Sequence, residues 1–378
     1  MSHSLSLFPF IFWKRLWRRV GIEFLKFRAT CKSCHLAAPL MRMRDEAALM
    51  KLRSYSFASP LLMVVDENRG GIMNLTDPVF GDKYIMNTSH DQEEIIICCS
   101  RYGWLLLFYT NSRYLVFFNP FTRNVHKLPS TSLWLENLCF SAPPTSPDCM
   151  VVGFTTQDDG QDDDVRHMYI LHFVSTTTQE PLWRIVDLDY GPDAPYAFRF
   201  PTFHGPHLYA LCNEGRLVVF KEISQVQVRS SWEEVVAEAP KSQFQWMTWA
   251  RRNTQYYLVK RDQHLLLVIL GIYGEYLEVF QLDDSTKEWE KIDSLGRHAI
   301  YISDTTCCCI EARIPKLQNK IYFPNLHTEN GKIVFYSLDK SDYYAFDGDK
   351  IEATACKTMF LGTKYHLNPY AWIEPSWC

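Results

Sequence analysis

The sequence predicts a mainly β protein, a propeller of about six blades preceded by a small helical module. Three observations carry this. From Ser59 onward, short runs of β-branched and aromatic residues alternate with turn residues. Within that region a strand–turn–Trp unit recurs at blade-like spacing. Before it, apolar residues are spaced for a helix instead.

The helical module comes first in the chain. Phe24, Phe27, Cys31, Cys34 and Ala38 follow a 3, 4, 3, 4 spacing, one stripe of an α-helix, with Lys26, Arg28, Thr30, Lys32 and His35 off it. Pro39 closes that helix. A second short helix is expected over about Asp45 to Arg53, acids first and bases last, as the helix dipole prefers. Residues 1–22 contain no acid and carry Lys14, Arg15, Arg18 and Arg19 after the apolar stretch Leu5–Trp13. A secretory signal has the reverse order, charge before apolar core. Two readings stay open for this start: an organellar transit segment, or a basic amphipathic helix that packs on the rest.

The β region is read from its strands and their repeat. Strands are expected over Leu61–Val65, Trp104–Tyr109, Tyr114–Phe118, Met150–Phe154, Met168–Val174, Leu217–Phe220, Tyr256–Lys260, Leu265–Leu270, Leu277–Leu282, Lys320–Phe323, Ile333–Leu338 and Tyr343–Phe346. Three of them lead through a polar turn to Trp-x-x-Val/Ile, at Trp183, Trp232 and Trp289, which lie 49 and 57 residues apart. Weaker members flank them at Leu115–Phe118 with Val125–Leu128, and at Ile333–Tyr336 with Tyr344–Phe346. Val116 and Val334 are 218 residues apart over four intervals, about 54 per repeat. Residues 59–378 then hold about six such units. A pair of β-sandwiches without ring closure is the alternative. The recurring Trp residues are expected in blade cores, and the Pro- and aromatic-rich stretch 191–206 as a loop on a binding rim.

Composition narrows the function classes. Lys plus Arg is 39 and Asp plus Glu is 43, a net charge of −4, which argues against a general nucleic-acid binder. The longest apolar runs, such as Leu265–Ile272, are far short of the ~18–20 residues of a membrane-spanning helix. Twelve cysteines sit mostly in apolar runs, including Cys98–Cys99 and Cys307–Cys309. Adjacent strand cysteines point to opposite faces, so they are read as reduced, buried thiols of a cytosolic or nuclear protein.

Chemical motifs are few. Cys31-Lys-Ser-Cys34-His35 has the spacing of a haem attachment site, but both cysteines fall on the apolar helix stripe. No second Cys/His pair at zinc-site spacing accompanies them. His204 and His207 form a lone pair read as structural. The acidic run Asp158–Asp164 lacks the ordered alternation of a calcium loop and reads as a solvated blade tip. No phosphate-binding Gly loop, nucleophile elbow or zinc-protease motif occurs, so no catalytic residue, cofactor or metal is assigned.

The residues carry a family resemblance. Phe24-Leu-Lys-Phe-Arg-Ala-Thr-Cys-Lys-Ser33 resembles the second half of an F-box. Its usual Leu-Pro start is replaced here by Leu7–Leu16, and its usual Trp after Cys-Lys-Ser by Cys34. The β region resembles the kelch-like domain of plant F-box proteins known as domain of unknown function 295. The matching segments are Gly103–Leu107, Phe118–Pro129, Trp289–Gly296, Asn319–Phe323 and Trp372–Trp377. The resemblance implies a degenerate F-box-like module over 1–53 and a kelch-like propeller over 59–378. It implies a non-enzymatic substrate receptor of an SCF-type ubiquitin ligase, with a Skp-type adaptor and cullin as partners and an unidentified protein as substrate. Leu16, Phe24, Leu25, Phe27 and Cys31 are the expected adaptor-docking residues. The alternative is a propeller-only binding module, organelle-targeted, in a mitochondrion or plastid.

Overall fold

The computed structural model describes residues 59–65, 72–78, 83–87, 94–130, 135–155, 166–172, 183–188, 197–212, 215–221, 223, 232–240, 254–271, 274–326, 333–347, 350–353 and 370–376. The helices expected within 1–53 and the acidic run 158–164 lie outside these residues.

Strands follow one another as antiparallel meanders in six sheets. The first contains β1 (Leu61–Val65), β2 (Ile72–Thr76) and β3 (Lys83–Asn87). The second is β4 (Ile95–Arg101), β5 (Trp104–Tyr109), β6 (Tyr114–Phe118) and β7 (Val125–Lys127). The third is β8 (Glu136–Phe140), β9 (Met150–Thr155), β10 (Arg166–His172) and β11 (Trp183–Leu188). The fourth is β12 (Arg199–His204), β13 (His207–Leu211), β14 (Leu217–Phe220) and β15 (Trp232–Ala237). The fifth is β16 (Gln255–Arg261), β17 (His264–Leu270), β18 (Leu277–Leu282) and β19 (Trp289–Lys291). The sixth gathers β20 (His298–Ile302), β21 (Cys307–Glu311), β22 (Lys320–Leu326), β23 (Ile333–Ser337), β24 (Asp342–Asp347) and β25 (Lys350–Ala353). The last strand, β26 (Tyr370–Ile373), returns to pair with β1, Leu61 opposite Ile373, and completes the first blade.

This is a six-bladed propeller, closed by the pairing of β26 with β1. The inner strands β26, β4, β8, β12, β16 and β21 succeed each other around the ring, and β22 packs against β26 to return to the start. Blade 6 departs from the meander: β20 pairs in parallel with β22, through a connection holding β21 and a short 3₁₀ turn at Pro315–Leu317. The repeated strand–turn–Trp unit of the sequence is the outer hairpin of a blade, seen in β10–β11, β14–β15 and β18–β19.

Every blade is a filling between two others, and its strands show it. In blade 2, Trp104, Leu106, Leu115 and Phe117 enter the core shared with blades 3 and 4, whereas Leu105, Leu107, Val116 and Phe118 enter the core shared with blade 1. In blade 4, Leu208, Ala210, Val218 and Phe220 face blade 3, and Tyr209, Leu211, Leu217 and Val219 face blade 5. In blade 6, Tyr301, Tyr322 and Phe335 share a core with Leu62 and Trp372 of blade 1, whereas Ile300, Ile321 and Val334 share one with blade 5. The period-2 alternation thus sorts residues between two apolar cores. That is why the strands read as unbroken apolar runs: both faces are buried.

Two expectations need correction. Residues 199–204, expected within a rim loop, form the inner strand β12, and Pro201, which has no N–H to donate, is tolerated because no further strand pairs with that inner edge. Trp183 and Trp289, expected in blade cores, sit half-buried on outermost strands and pack against the cores from outside; the Trp183 indole donates to the Pro129 carbonyl at 3.1 Å. Strand Trp232–Ala237 is the corresponding position of blade 4. The eight described cysteines are all thiols, with Cys98, Cys308 and Cys309 half-buried and the others buried.

Candidate functional site

A ring of inner strands brings their ends together around one axis, and the polar residues there form the candidate site. β4 ends in Ser100 and Arg101, β12 carries Arg199 and Thr202, and β16 ends in Lys260 and Arg261. The β20–β21 turn supplies Asp304 and Thr306, and Glu374 follows β26.

Two hydrogen bonds cross the axis between blades that are not neighbours. The Ser100 backbone N–H donates to Thr306 Oγ1 at 3.1 Å, from blade 2 to blade 6. Arg101 Nη2 donates to Thr202 Oγ1 at 3.4 Å, from blade 2 to blade 4. Thr202 reaches that position because β12 is bulged between Arg199 and Thr202, with Phe200 in the left-handed region at φ 51°. Such a bulge re-aims a side chain locally. Thr202 Oγ1 itself donates to the Phe200 carbonyl at 2.9 Å, which fixes the hydroxyl.

Arg101 acts electrostatically on groups from the whole ring. Its charge draws down the thiols of Cys99 in blade 2, Cys139 in blade 3 and Cys307 and Cys308 in blade 6. It depresses Lys260 in blade 5 and stabilises the Glu374 carboxylate beside blade 1. Its hydrogen bond to Thr202 carries this guanidinium from blade 2 past blade 3 to blade 4. Burial dominates each of these shifts: it raises the thiols and Glu374 and lowers Lys260. Cys307 is pushed up to about 12, so these thiols are inert toward nucleophilic chemistry near neutrality.

A second charged pair sits on the same axis. Burial lifts the Asp304 carboxyl to about 6 against the opposing pull of Arg199. Lys260 Nζ donates to the Phe203 carbonyl at 3.2 Å. Among the described residues, Arg101, Arg199 and Lys260 have no carboxylate oxygen within 4 Å.

A turn and a strap meet beside Arg101. Tyr102 and Gly103 turn β4 into β5, both with positive φ, 53° and 76°. This is the primed geometry that suits a two-residue hairpin. The Tyr102 hydroxyl donates to the Ser141 carbonyl of blade 3 at 2.8 Å. Residues 374–376 lie over this turn: a Cβ on Gly103 would collide with Ser376 Cβ. Asn119 Nδ2 holds the Ser376 carbonyl at 3.3 Å.

The expected adaptor-docking residues Leu16, Phe24, Leu25, Phe27 and Cys31 lie outside the described residues, as does the Cys31–His35 motif. His204 and His207 face each other across the Gly205–Pro206 turn of β12 and β13, a structural placement. The axial set of Arg101, Thr202, Lys260, Asp304 and Glu374 was missed in the sequence because no spacing links residues that meet only through ring closure. Among the described residues, no group of three or more His, Cys, Asp or Glu could hold a metal ion. Among them no helix is long and apolar enough to cross a membrane.

A family model described as KIB1-4 beta-propeller matches residues 61–347. The chain is 26% identical over 361 residues to an F-box/kelch-repeat protein of Arabidopsis thaliana, covering 89% of this chain and 91% of that relative. It is 25% identical over 296 residues to a second Arabidopsis thaliana F-box/kelch-repeat protein, covering 74% of this chain and 70% of the relative. An F-box protein of the same plant is 31% identical over 128 residues, covering 34% of this chain and 29% of the relative.

Proposed function

Because the chain belongs to the KIB1-4 β-propeller family, we propose that it is the substrate-receptor subunit of an SCF-type ubiquitin ligase. In this reading residues 1–53, with Leu16, Phe24, Leu25, Phe27 and Cys31, dock on a Skp-type adaptor and so join a cullin, while the propeller holds a protein substrate. The observation that carries it is the similarity, over 89% of this chain, to a relative named F-box/kelch-repeat. The part this chain plays is tethering. Holding a substrate beside the charged ubiquitin carrier raises its effective concentration, which needs no bond chemistry from the receptor.

The test is recovery of a Skp-type adaptor by the full chain and by a chain lacking residues 1–53. The expected result is recovery by the first and loss with the second. Absent recovery, or recovery unchanged by the deletion, overturns the reading. A second reading, a propeller-only binding module in a mitochondrion or plastid, is favoured by the acid-free first 22 residues. Import of a fluorescent fusion of residues 1–40 would support it, and a diffuse signal would remove it in favour of the cytoplasm or nucleus.

A further inference from the structure

β26 is held on three sides by parts of the chain far from it in sequence. It pairs with β1, Leu61 opposite Ile373 and Val64 opposite Tyr370. On one face Trp372 lies against the rings of Tyr301 and Tyr322 of blade 6, at 5.0 and 6.3 Å, and its indole donates to the Ile302 carbonyl at 2.9 Å. On the other face Ala371 and Ile373 enter the core that Leu105 and Leu107 of blade 2 share with Leu61 and Met63. Beyond the strand, Asn119 Nδ2 holds the Ser376 carbonyl at 3.3 Å. None of these partners belongs to β24 or β25, the strands that precede β26 in the chain.

These contacts make a slot that reads a strand by its side chains and not by its connection to the rest of the chain. The slot demands a small residue, a Trp and an Ile in succession: Ala371, Trp372 and Ile373 are 0%, 3% and 0% exposed. That tripeptide occurs once in every copy of the chain. Residues 354–369 join it to β25, a length of roughly 55 Å at full extension. Such a length allows the strand to pass to an adjacent copy instead of back into its own blade. Exchange keeps every contact of β26 and changes only which copy supplies it. Two copies that exchange reciprocally fill both slots and leave no edge over, so the assembly stops at two.

We infer that the slot between β1, blade 6 and blade 2 also takes β26 from a second copy of this chain, the two copies trading strands as a closed dimer. This goes beyond the ligase reading and stands without it. Tethering opposes the exchange, because a short linker keeps a chain's own strand at an effective concentration on the order of 1 mM. The own strand therefore wins in dilute solution. Exchange grows as the concentration of copies approaches that value while the strand is free, which is during folding.

The test uses two full-length variants, Val64→Cys and Tyr370→Cys, at positions that face each other in the register. They are unfolded in guanidinium, mixed with reductant and refolded at about 1 µM and about 200 µM, the second approaching the effective concentration of the tethered strand. They are then oxidised, and linked peptides are identified by mass spectrometry. Neither chain holds both new thiols, so a 64–370 disulfide reports exchange. Its yield is expected to be at least fivefold higher in the concentrated sample, and to fall at least fivefold when Trp372→Ala is added to the Tyr370→Cys chain. Val125→Cys, exposed on the outermost strand β7, replaces Val64→Cys as the control and is expected to give background linkage to position 370. A 64–370 yield equal to that control, or equal at both concentrations, overturns the inference. Should a chain carrying both new thiols fail to close its own disulfide, light scattering of the refolded parent chain replaces the linkage. A dimer that Trp372→Ala abolishes is then expected; monomer alone, or a dimer indifferent to that substitution, overturns the inference equally.

Discussion

The indole of Trp372 donates to the carbonyl of Ile302 at 2.9 Å, a buried hydrogen bond between a strand of blade 1 and a strand of blade 6. Trp372 is 3% exposed and lies edge-on to Tyr301 at 5.0 Å. One side chain therefore holds the seam of the ring by both packing and polarity. Trp372→Ala is expected to cost about 3–5 kcal/mol in urea or guanidinium unfolding. Trp372→Phe keeps most of the volume and leaves the Ile302 carbonyl unpaired, so about 1–3 kcal/mol is expected. Equal losses for the two would show that packing carries nothing here.

Gly103 and Gly296 both adopt positive φ, 76° and 61°, yet only Gly103 has a neighbour in the way. Gly296→Ala is expected to cost ~1–2 kcal/mol, the strain of a left-handed residue with a side chain. Gly103→Ala adds the displacement of residues 374–376 and is expected to cost roughly 1–3 kcal/mol more. Thermal unfolding of the two variants side by side checks the difference.

Thr306 holds the Ser100 N–H across the axis. Thr306→Val keeps the shape and removes the acceptor, leaving a buried donor unpaired at a cost of about 1–3 kcal/mol. The Ser100 amide should also lose hydrogen-exchange protection in that variant, while amides of β17, remote from the axis, keep theirs.

Asp304 sets a pH dependence of known sign. Its carboxyl is lifted to about 6 in the folded chain, above its ordinary value of 3.8. Between those limits the folded state binds more protons than the unfolded one, so stability falls as pH rises from about 4 to 6. Glu374, also raised by burial, contributes in the same direction. Asp304→Asn is expected to flatten part of this slope, measured as unfolding free energy at pH 4, 5 and 6. A slope unchanged by the substitution would refute the assignment.

The outer parts of the blades were legible in the sequence because each outer hairpin repeats the same arrangement of apolar strand, polar turn and Trp. Leu217–Phe220 and Leu277–Leu282 have the bounds their residues predict. The inner strands were harder to read. β4 ends in Ser-Arg, β12 contains Pro201, and β21 begins with three cysteines, none of which marks a strand locally. The parallel pairing of β20 with β22 leaves no local signature either, since it depends on a crossover rather than a turn. The axial site was illegible for a further reason. Arg101 and Thr202 are 101 residues apart, and a lone Arg before a turn is ordinary until a closed ring sets it at the centre.

The pairing of β26 with β1 has a consequence for biosynthesis. Leu61 emerges from the ribosome roughly three hundred residues before its partner Ile373. During that interval the edge of β1 that β26 will cover lacks its eventual partner, and an exposed edge of this kind recruits other chains. Blades 2 to 5 hold all their strands before β26 is made, so the circle is sealed last. A stop codon that takes β26 away would leave blade 1 one strand short and the wheel unjoined.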